Sequence, residues 1–233
     1  MNFFDTARTL LLIGTTFVLI ACATNSQPPQ TYDGLVLVPD TKFREVYRRP
    51  GADLSSYDSY GLQACEVAFK KNWLRNQNSG RLDLGNRVTQ KDVDKIKDAL
   101  SAQCEESFRA ALEQAPPYQL VDSFSDGEQV LLLRPAIINL DITAPDKRSA
   151  GRQRTYTTQS GEMTLVLELL DGTTGEILLR IVDRQSGRDN GRLQWSNSVT
   201  NQAEARRILG RWASQLRKGL DQVSADAGAR TEE

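Results

Sequence analysis

The sequence predicts an α+β fold: a single domain with a mostly antiparallel sheet and two amphipathic helices on one face. Two stretches of the 233-residue chain place apolar residues at helical spacing, one near the middle and one near the end. Several shorter stretches alternate apolar and polar residues, as half-buried strands do. The sequence shows no internal repeat and no second linker, and this indicates one domain.

The two predicted helices each begin with a capping pattern. The first begins at Thr89, with Asp92 three residues later, and a proline pair ends it. The second begins at Asn201, with Glu204 in the corresponding position. The predicted inner faces are Val93, Ile96, Leu100, Cys104, Phe108 and Leu112 in the first helix and Ala205, Ile208, Leu209, Trp212, Leu216, Leu220 and Val223 in the second.

The predicted strands differ in how clearly they alternate. Tyr57–Trp73 has few charges and no breaker, and it is interpreted as one strand buried on both faces. Val130–Ile142 alternates in its second half, and Pro135 indicates a bulge or an edge position. Asp171–Gly175 has strong turn chemistry and predicts a hairpin. Gly34–Val38 is interpreted as either a strand or a hydrophobic stub against the domain. The other predicted strands are Lys42–Arg49, Tyr118–Val121 and the hairpin arms Glu162–Leu170 and Glu176–Val182.

An apolar run from Leu10 to Ala21 precedes the predicted domain. It is about half as long as the ~20 residues of a membrane-spanning helix, and it matches the ~7 to 15 residues of a signal-peptide core. The run ends in Leu19-Ile20-Ala21-Cys22, which resembles the bacterial lipobox. On that resemblance, residues 1–21 are a lipoprotein signal peptide, and Cys22 receives a diacylglyceryl thioether and an acyl chain such as palmitate. The alternative is an ordinary secretory signal, in which Cys22 is only a small apolar residue.

The lipobox resemblance also predicts where the mature protein resides. Two or more acyl chains hold a protein stably on a bilayer without crossing it. Ala23 replaces the aspartate that retains lipoproteins of enteric bacteria in the inner membrane, so we expect the outer membrane, with the domain in the periplasm. Residues 22–31 are predicted to be a lipidated cysteine and a polar tether of at most ~30 Å. Residues 32–223 form the predicted domain, and residues 224–233 a disordered tail.

The composition excludes several classes of function. The chain contains no histidine, which is the commonest general base and metal ligand, and this argues against triad hydrolases and metalloenzymes. We therefore expect no metal and no cofactor. The 29 basic and 30 acidic residues nearly balance, so no global field favours nucleic acid. The sequence thus favours a binding or accessory protein over an enzyme. The alternative is a histidine-free envelope hydrolase that uses two of the carboxylates on or beside the strands. These carboxylates are Asp141, Glu162, Glu168, Asp171 and Asp183.

Two cysteines remain besides Cys22, namely Cys65 and Cys104. An even pair of cysteines in an oxidising compartment favours a disulfide. Cys104 lies on the predicted inner face of the first helix, above the strand that carries Cys65. The alternative is two buried free thiols.

The best candidate for a partner-binding surface is a basic connection from Lys147 to Tyr156. Arginines spaced by small residues offer bidentate donors to the phosphate or carboxylate groups of an envelope polymer or protein. The alternative is a solvated loop whose arginines contact carboxylates of their own domain. The candidate residues are Arg152, Arg154, Tyr156, Trp195 and Asn197.

Several segments together resemble one protein family. They are YRRPGADLSSYDSYGLQACEVAFKKNW at 47–73, LLRPAIINLDITAPD at 132–146, AGRQRTY at 150–156, GEMTL at 161–165, DGTTGE at 171–176 and QWSNSVTNQAEARRILGRWA at 194–213. They resemble a family of proteobacterial lipoproteins of unknown function, the domain of unknown function 3313 type, over roughly 34–222. The resemblance implies an envelope lipoprotein with an α+β domain and no known reaction, ligand or catalytic residue. It also implies that a disulfide at Cys65 is peculiar to a subset of the family.

Overall fold

The computed structural model describes residues 29–81, 83–123, 128–143, 156–157, 161–187, 194–195 and 198–231. These residues form a mixed α+β domain around one open sheet, which confirms the predicted fold class. The helices are α1 (Trp73–Asn78), α2 (Gln90–Leu112) and α3 (Ser198–Thr231), and Leu84–Asn86 forms a 3-10 turn. The strands of the sheet are β1 (Val36–Leu37), β2 (Glu45–Arg48), β3 (Ser59–Leu62), β4 (Glu66–Phe69), β5 (Gln119–Leu120), β6 (Val130–Asp141), β8 (Glu162–Asp171) and β9 (Ile177–Ser186). A separate two-stranded sheet consists of β7 (Tyr156–Thr157) and β10 (Gln194–Trp195).

The main sheet has the strand order β1-β2-β9-β8-β6-β3-β5, and β4 also pairs with β6. The neighbouring strands in the part β1-β2-β9-β8-β6 of this order are antiparallel, as predicted. The edge formed by β3, β4 and β5 is parallel, because the chain crosses over through α2 between β4 and β5.

Alternation along the three long strands separates an inner from an outer face. Leu133 and Ile137 of β6 and Leu165 and Leu167 of β8 are fully buried on the inner face. The residues that alternate with these, such as Glu168 after Leu167, lie on the outer face, because successive side chains in a strand point to opposite sides. The apolar period of two therefore fixes which side of the sheet receives the helices.

Helices α2 and α3 contact each other and cover the inner face. The Thr89 side chain accepts from the backbone N–H of Asp92, and the Asp92 carboxylate accepts from that of Thr89, so the predicted capping box is present. Trp212 of α3 is fully buried, and its indole Nε1 donates to Asp183 of β9 over 2.6 Å. The helical stripes that periodicity predicted thus form the core with β6, β8 and β9.

The prediction of one continuous strand over Tyr57–Trp73 is wrong. The segment forms β3 and β4, which pair in succession with β6, and α1 begins at Trp73. The interruption lies opposite Pro135. The Leu133 carbonyl accepts from the Gln63 N–H, so the backbone groups of Leu133 face β3 and β4. Pro135, two residues later, faces the same side and has no N–H to donate to the neighbouring strand. Pro135 therefore marks a break in the neighbouring strand, and it lies within β6 rather than at a bulge or edge of it.

The bounds of α3 also differ from the prediction. The helix begins at Ser198, three residues before the predicted cap Asn201, whose side chain donates to the Thr143 carbonyl instead. It continues to Thr231, so most of the stretch predicted to be disordered is helical. Three alanines after Ser224 and the absence of proline there favour this extension.

Cys65 and Cys104 are joined by a disulfide with their Cα atoms 6.1 Å apart. Both residues are buried, and Ser101 of α2 donates to the Cys65 carbonyl over 2.6 Å. The bridge fastens α2 to the segment between β3 and β4. This segment lacks continuous strand pairing, so the covalent link fixes it against the helix.

Candidate functional site

The candidate binding residues belong to two segments that leave the main sheet at the same end. Asp141 ends β6 and is the cross-strand partner of Glu162, which begins β8. Glu162 is in turn paired with Ser186, where β9 ends. The segments 142–161 and 187–197 therefore start from adjacent strand ends, and they contain all five predicted residues.

The structure brings two of the five together. In the two-stranded sheet, Tyr156 and Trp195 are direct antiparallel partners, and Thr157 and Gln194 form the adjacent pair. This pairing joins the two segments to each other, which their separation in sequence did not indicate. Arg152, Arg154 and Asn197 lie outside the described residues, as does Cys22. Their roles stay predictions.

The base of these segments is held by close contacts. Gly161 has φ +111°, and a Cβ there would lie 2.6 Å from the Asp141 carbonyl, so only glycine fits. The Ile142 carbonyl accepts from Trp73 Nε1 over 2.8 Å, and the Thr143 carbonyl accepts from Asn201. Contacts with the start of β8, with α1 and with α3 thus fix residues 141–143 at this end of the sheet.

Two ion pairs lie at the same end of the sheet. The Lys70 ammonium lies 2.8 Å from Asp141, and Arg184 binds Glu162. The hydrogen bond with Asp141 raises the pKa of Lys70. Because Asp141 and Glu162 are cross-strand neighbours of like charge, the two cations offset a repulsion that would otherwise weaken the pairing. Sequence inspection singled out the carboxylates but not Lys70 and Arg184.

The hydrolase alternative depends on a carboxylic acid whose pKa is raised. Burial alone would raise the pKa of Glu168, but hydrogen bonds from Arg134 and Arg180 outweigh it and lower the pKa. Hydrogen bonds from Tyr57 and from the backbone of Thr174 lower the pKa of Asp171. These two groups are held as carboxylates, which suits structure rather than general acid catalysis.

The other candidate carboxylates also have structural partners. Asp183 is buried and accepts from Trp212 Nε1, from the Arg44 N–H over 3.0 Å and from Gln185. Asp141 and Glu162 are engaged by the ion pairs at their strand ends. Each of the five carboxylates therefore has a role in holding the fold.

The outer face of the sheet carries a chain of ion pairs. Glu168 of β8 lies between Arg134 of β6 at 2.7 Å and Arg180 of β9 at 2.8 Å, and Arg180 continues to Asp33 at 2.6 Å. The hydrogen bond from Arg180 lowers the pKa of Asp33 to about 2, with help from Thr31. Beside this chain is a shallow cavity of about 240 Å³ lined by Glu66, Arg134, Pro135, Ala136, Val166 and Glu168. In the sequence, the only indication of this chain of ion pairs is that Glu168 and Arg180 occupy outward positions of the alternating hairpin strands.

The described ranges contain neither a bilayer-spanning helix nor a metal-binding cluster. No helix there combines the length and the apolar character that crossing a bilayer requires. That part of the chain also holds no cluster of three or more side chains of the metal-binding types.

The fold and these surfaces define an α+β domain with an open main sheet and a separate two-stranded sheet. The family described as "Protein of unknown function (DUF3313)" matches residues 24–216, and the chain belongs to this family. The resemblance predicted from the sequence is thus confirmed. No curated protein matches the chain.

Three solved structures resemble the domain at low similarity. The PelC dodecamer from Paraburkholderia phytofirmans is 10% identical, with 73% of this chain and 96% of that chain covered and a TM-score of 0.34. A putative lipoprotein from Caulobacter crescentus CB15 is 14% identical, with 56% and 85% covered and a TM-score of 0.31. A minor lipoprotein from Acinetobacter baumannii is 13% identical, with 74% and 96% covered and a TM-score of 0.30. At these scores the likenesses support no functional conclusion.

Proposed function

We propose that this protein is an outer-membrane lipoprotein that is anchored through Cys22 and binds another component of the cell envelope with its periplasmic domain. The observation that carries the proposal is the position of Cys22, which ends a signal-like apolar run directly before the domain. Pro29 is tied to the domain, because its carbonyl accepts from the Leu37 N–H. Pro29 is seven positions after Cys22, so the chain between them reaches at most ~25 Å.

A short tether suits a protein that acts close to its membrane. The domain carries its carboxylates in ion pairs and caps, which supports a binding role over the hydrolase alternative. Binding needs a surface with free donors and stacking groups, and the segments that contain Arg152, Arg154 and Trp195 supply these residue types. An anionic envelope polymer or a protein with an acidic surface fits them.

Replacing Cys22 with alanine is expected to abolish lipidation. Because the thiol is the group that is acylated, Cys22→Ala should incorporate no labelled palmitate and should lose its membrane association. The double variant Cys65→Ala/Cys104→Ala is the matched control, since it keeps Cys22 and should incorporate label as the wild type does. Palmitate labelling and mass spectrometry of the amino-terminal peptide measure the result. A Cys22→Ala protein that remains labelled and membrane-bound would contradict the proposal.

In the same assay, Ala23→Asp should move the lipidated protein to the inner-membrane fraction of an enteric host.

The binding surface gives a separate expectation. Arg152→Ala/Arg154→Ala should lower cosedimentation with isolated peptidoglycan sacculi, whose carboxylates serve as the anionic probe, by about tenfold, the effect of losing about 1.4 kcal/mol. The binding should also weaken as salt rises, because exposed charges are screened. Arg75→Ala/Arg206→Ala is the matched control, since both arginines are exposed and the charge change is equal. If Arg152→Ala/Arg154→Ala and the control variant cosediment to the same extent, Arg152 and Arg154 do not contact this probe. Unfolding of the first variant, measured by circular dichroism, would show that they are structural.

A further inference from the structure

The turn at Thr31–Leu35 presents an exposed aromatic ring beside the tether. Tyr32 is 97% exposed, while Leu35, three residues later, is fully buried. A single exposed aromatic ring is ordinary on a protein surface, so its meaning depends on where it lies in the fold. The other large hydrophobic residue that is strongly exposed in the described chain is Leu84, at 75%.

The turn is rigid. The Thr31 N–H donates to the Leu35 carbonyl over 2.8 Å, and the Gly34 N–H donates to the Thr31 carbonyl over 3.1 Å. The Asp33 carboxylate is held by two nitrogens of Arg180, at 2.6 and 3.2 Å. Gly34 adopts φ +85°, which a turn of this tightness requires. Tyr32 therefore projects from a fixed position relative to the sheet.

The position of Tyr32 is also fixed relative to the anchor. Cys22 is ten residues before it, and Pro29, seven positions after Cys22, is hydrogen-bonded to the domain. A tether of at most ~25 Å keeps this turn nearer to the anchoring bilayer than other parts of the domain need be. Tyrosine is enriched at membrane–water interfaces, because its ring is apolar and its hydroxyl is polar.

The two exposed hydrophobic residues lie at opposite ends of the sheet. The turn is next to Arg49, whose N–H donates to the Leu178 carbonyl near the start of β9. Leu84 precedes Val88, which packs with Trp73 and Ile142 near the other end, where β9 reaches Ser186. Leu178 and Ser186 are eight positions apart along β9, a distance of about 26 Å.

From this placement we infer that Tyr32 contacts the headgroup region of the bilayer that holds the Cys22 anchor. The contact orients the domain so that the end of the sheet formed by Asp141, Glu162 and Ser186 faces away from that bilayer. The inference rests on the proposed lipid anchor. It identifies the lipid surface itself as a partner of the Thr31–Leu35 turn, and it explains why the turn is both rigid and capped by an exposed aromatic ring.

The experiment uses the full acylated protein in vesicles of phosphatidylethanolamine and phosphatidylglycerol, with and without brominated acyl chains as quenchers. Tyr32→Cys and Leu84→Cys each introduce one free thiol for an environment-sensitive fluorophore, because Cys65 and Cys104 are bonded to each other. The label at position 32 should lose about half of its fluorescence in brominated vesicles, as an interfacial group would. The label at position 84 should be unchanged.

A third labelled site tests the tyrosine itself. A label introduced by Gln30→Cys keeps Tyr32, and its quenching should fall about twofold when Tyr32→Ser is added, because the ring no longer holds the turn at the interface. Unchanged quenching at position 30 would overturn the role of the ring. Quenching at position 84 would overturn the orientation. An unquenched label at position 30, on protein that keeps Tyr32 and floats with the vesicles, would overturn the inference and leave the anchor intact. Failure to float would refute the anchor and the inference together.

Discussion

Arg217→Met is expected to lower the free energy of unfolding by about 3 kcal/mol, because burying carbonyls without a donor costs ~1–3 kcal/mol each. Arg217 of α3 is only 6% exposed. One of its nitrogens donates to the carbonyls of Ala111 and Gln114 over 3.1 and 2.6 Å, and the other donates to Pro116 over 2.6 Å. Ala111 lies in the last turn of α2, whose carbonyls lack helical partners, and Gln114 and Pro116 follow that turn. The guanidinium thus caps one helix from the other.

The neighbouring contacts increase the expected loss. The Arg217 Nε donates to Asp221 over 2.7 Å, and the guanidinium lies over the Tyr118 ring at 4.6 Å. Methionine fills a similar volume but can replace none of these interactions. Arg217→Lys retains the charge on a single nitrogen, so it cannot reach the separate acceptors and should recover only part of the loss.

Urea unfolding followed by circular dichroism measures the effect. With a slope of about 2 kcal/mol per molar urea, the loss corresponds to a midpoint about 1.5 M lower. Lys218→Met is the matched control, since Lys218 is adjacent, exposed and of the same charge, and it should leave the midpoint nearly unchanged. A midpoint for Arg217→Met that equals that of Lys218→Met would show that the cap contributes nothing.

The role of Arg217 could not be predicted from the sequence. Its position beside Leu216 places it at the border of the apolar stripe of α3, where a charged residue usually reaches solvent. What buries it is the end of α2, about a hundred residues earlier in the chain. Contacts of this range depend on how the two helices cross, and local periodicity carries no information about that.

Local signals did predict much of the fold. The capping box at Thr89 depends on two residues three apart, and the turn at Asp171 depends on consecutive residues, so both are legible in the sequence. The division of Tyr57–Trp73 depends instead on Pro135 in a strand more than sixty residues later. The parallel edge likewise follows from a crossover that the order of elements does not specify.

The candidate site shows the same limit. The sequence identified Tyr156 and Trp195 by residue type, but their pairing across the two-stranded sheet depends on the strand ends at Glu162 and Ser186 being adjacent. The sequence did not indicate a role for Tyr32, since a single tyrosine in a polar stretch is common. Its interest comes from the rigid turn, which depends on Arg180 of β9.

Reduction of the Cys65–Cys104 disulfide is expected to lower the free energy of unfolding by about 4 kcal/mol, the chain-entropy value for a loop of about 40 residues. The bridge spans 39 residues and joins α2 to the break between β3 and β4, so it restricts the unfolded chain without competing with strand pairing. The wild-type urea midpoint should therefore fall by about 2 M in the presence of a reductant.

The control for the disulfide is the double variant Cys65→Ala/Cys104→Ala, which has no bond to reduce. Its midpoint should be low with or without reductant, and the reduced wild type should approach it, apart from the packing lost when two buried sulfurs are removed. A wild-type midpoint that is insensitive to a reductant able to enter the unfolded chain would show that the two cysteines are free thiols. The comparison separates the effect of the bond from the effect of the side chains. Because the bridge holds the interrupted strand edge against α2, its loss should also raise amide hydrogen exchange in β3 and β4 more than in β8.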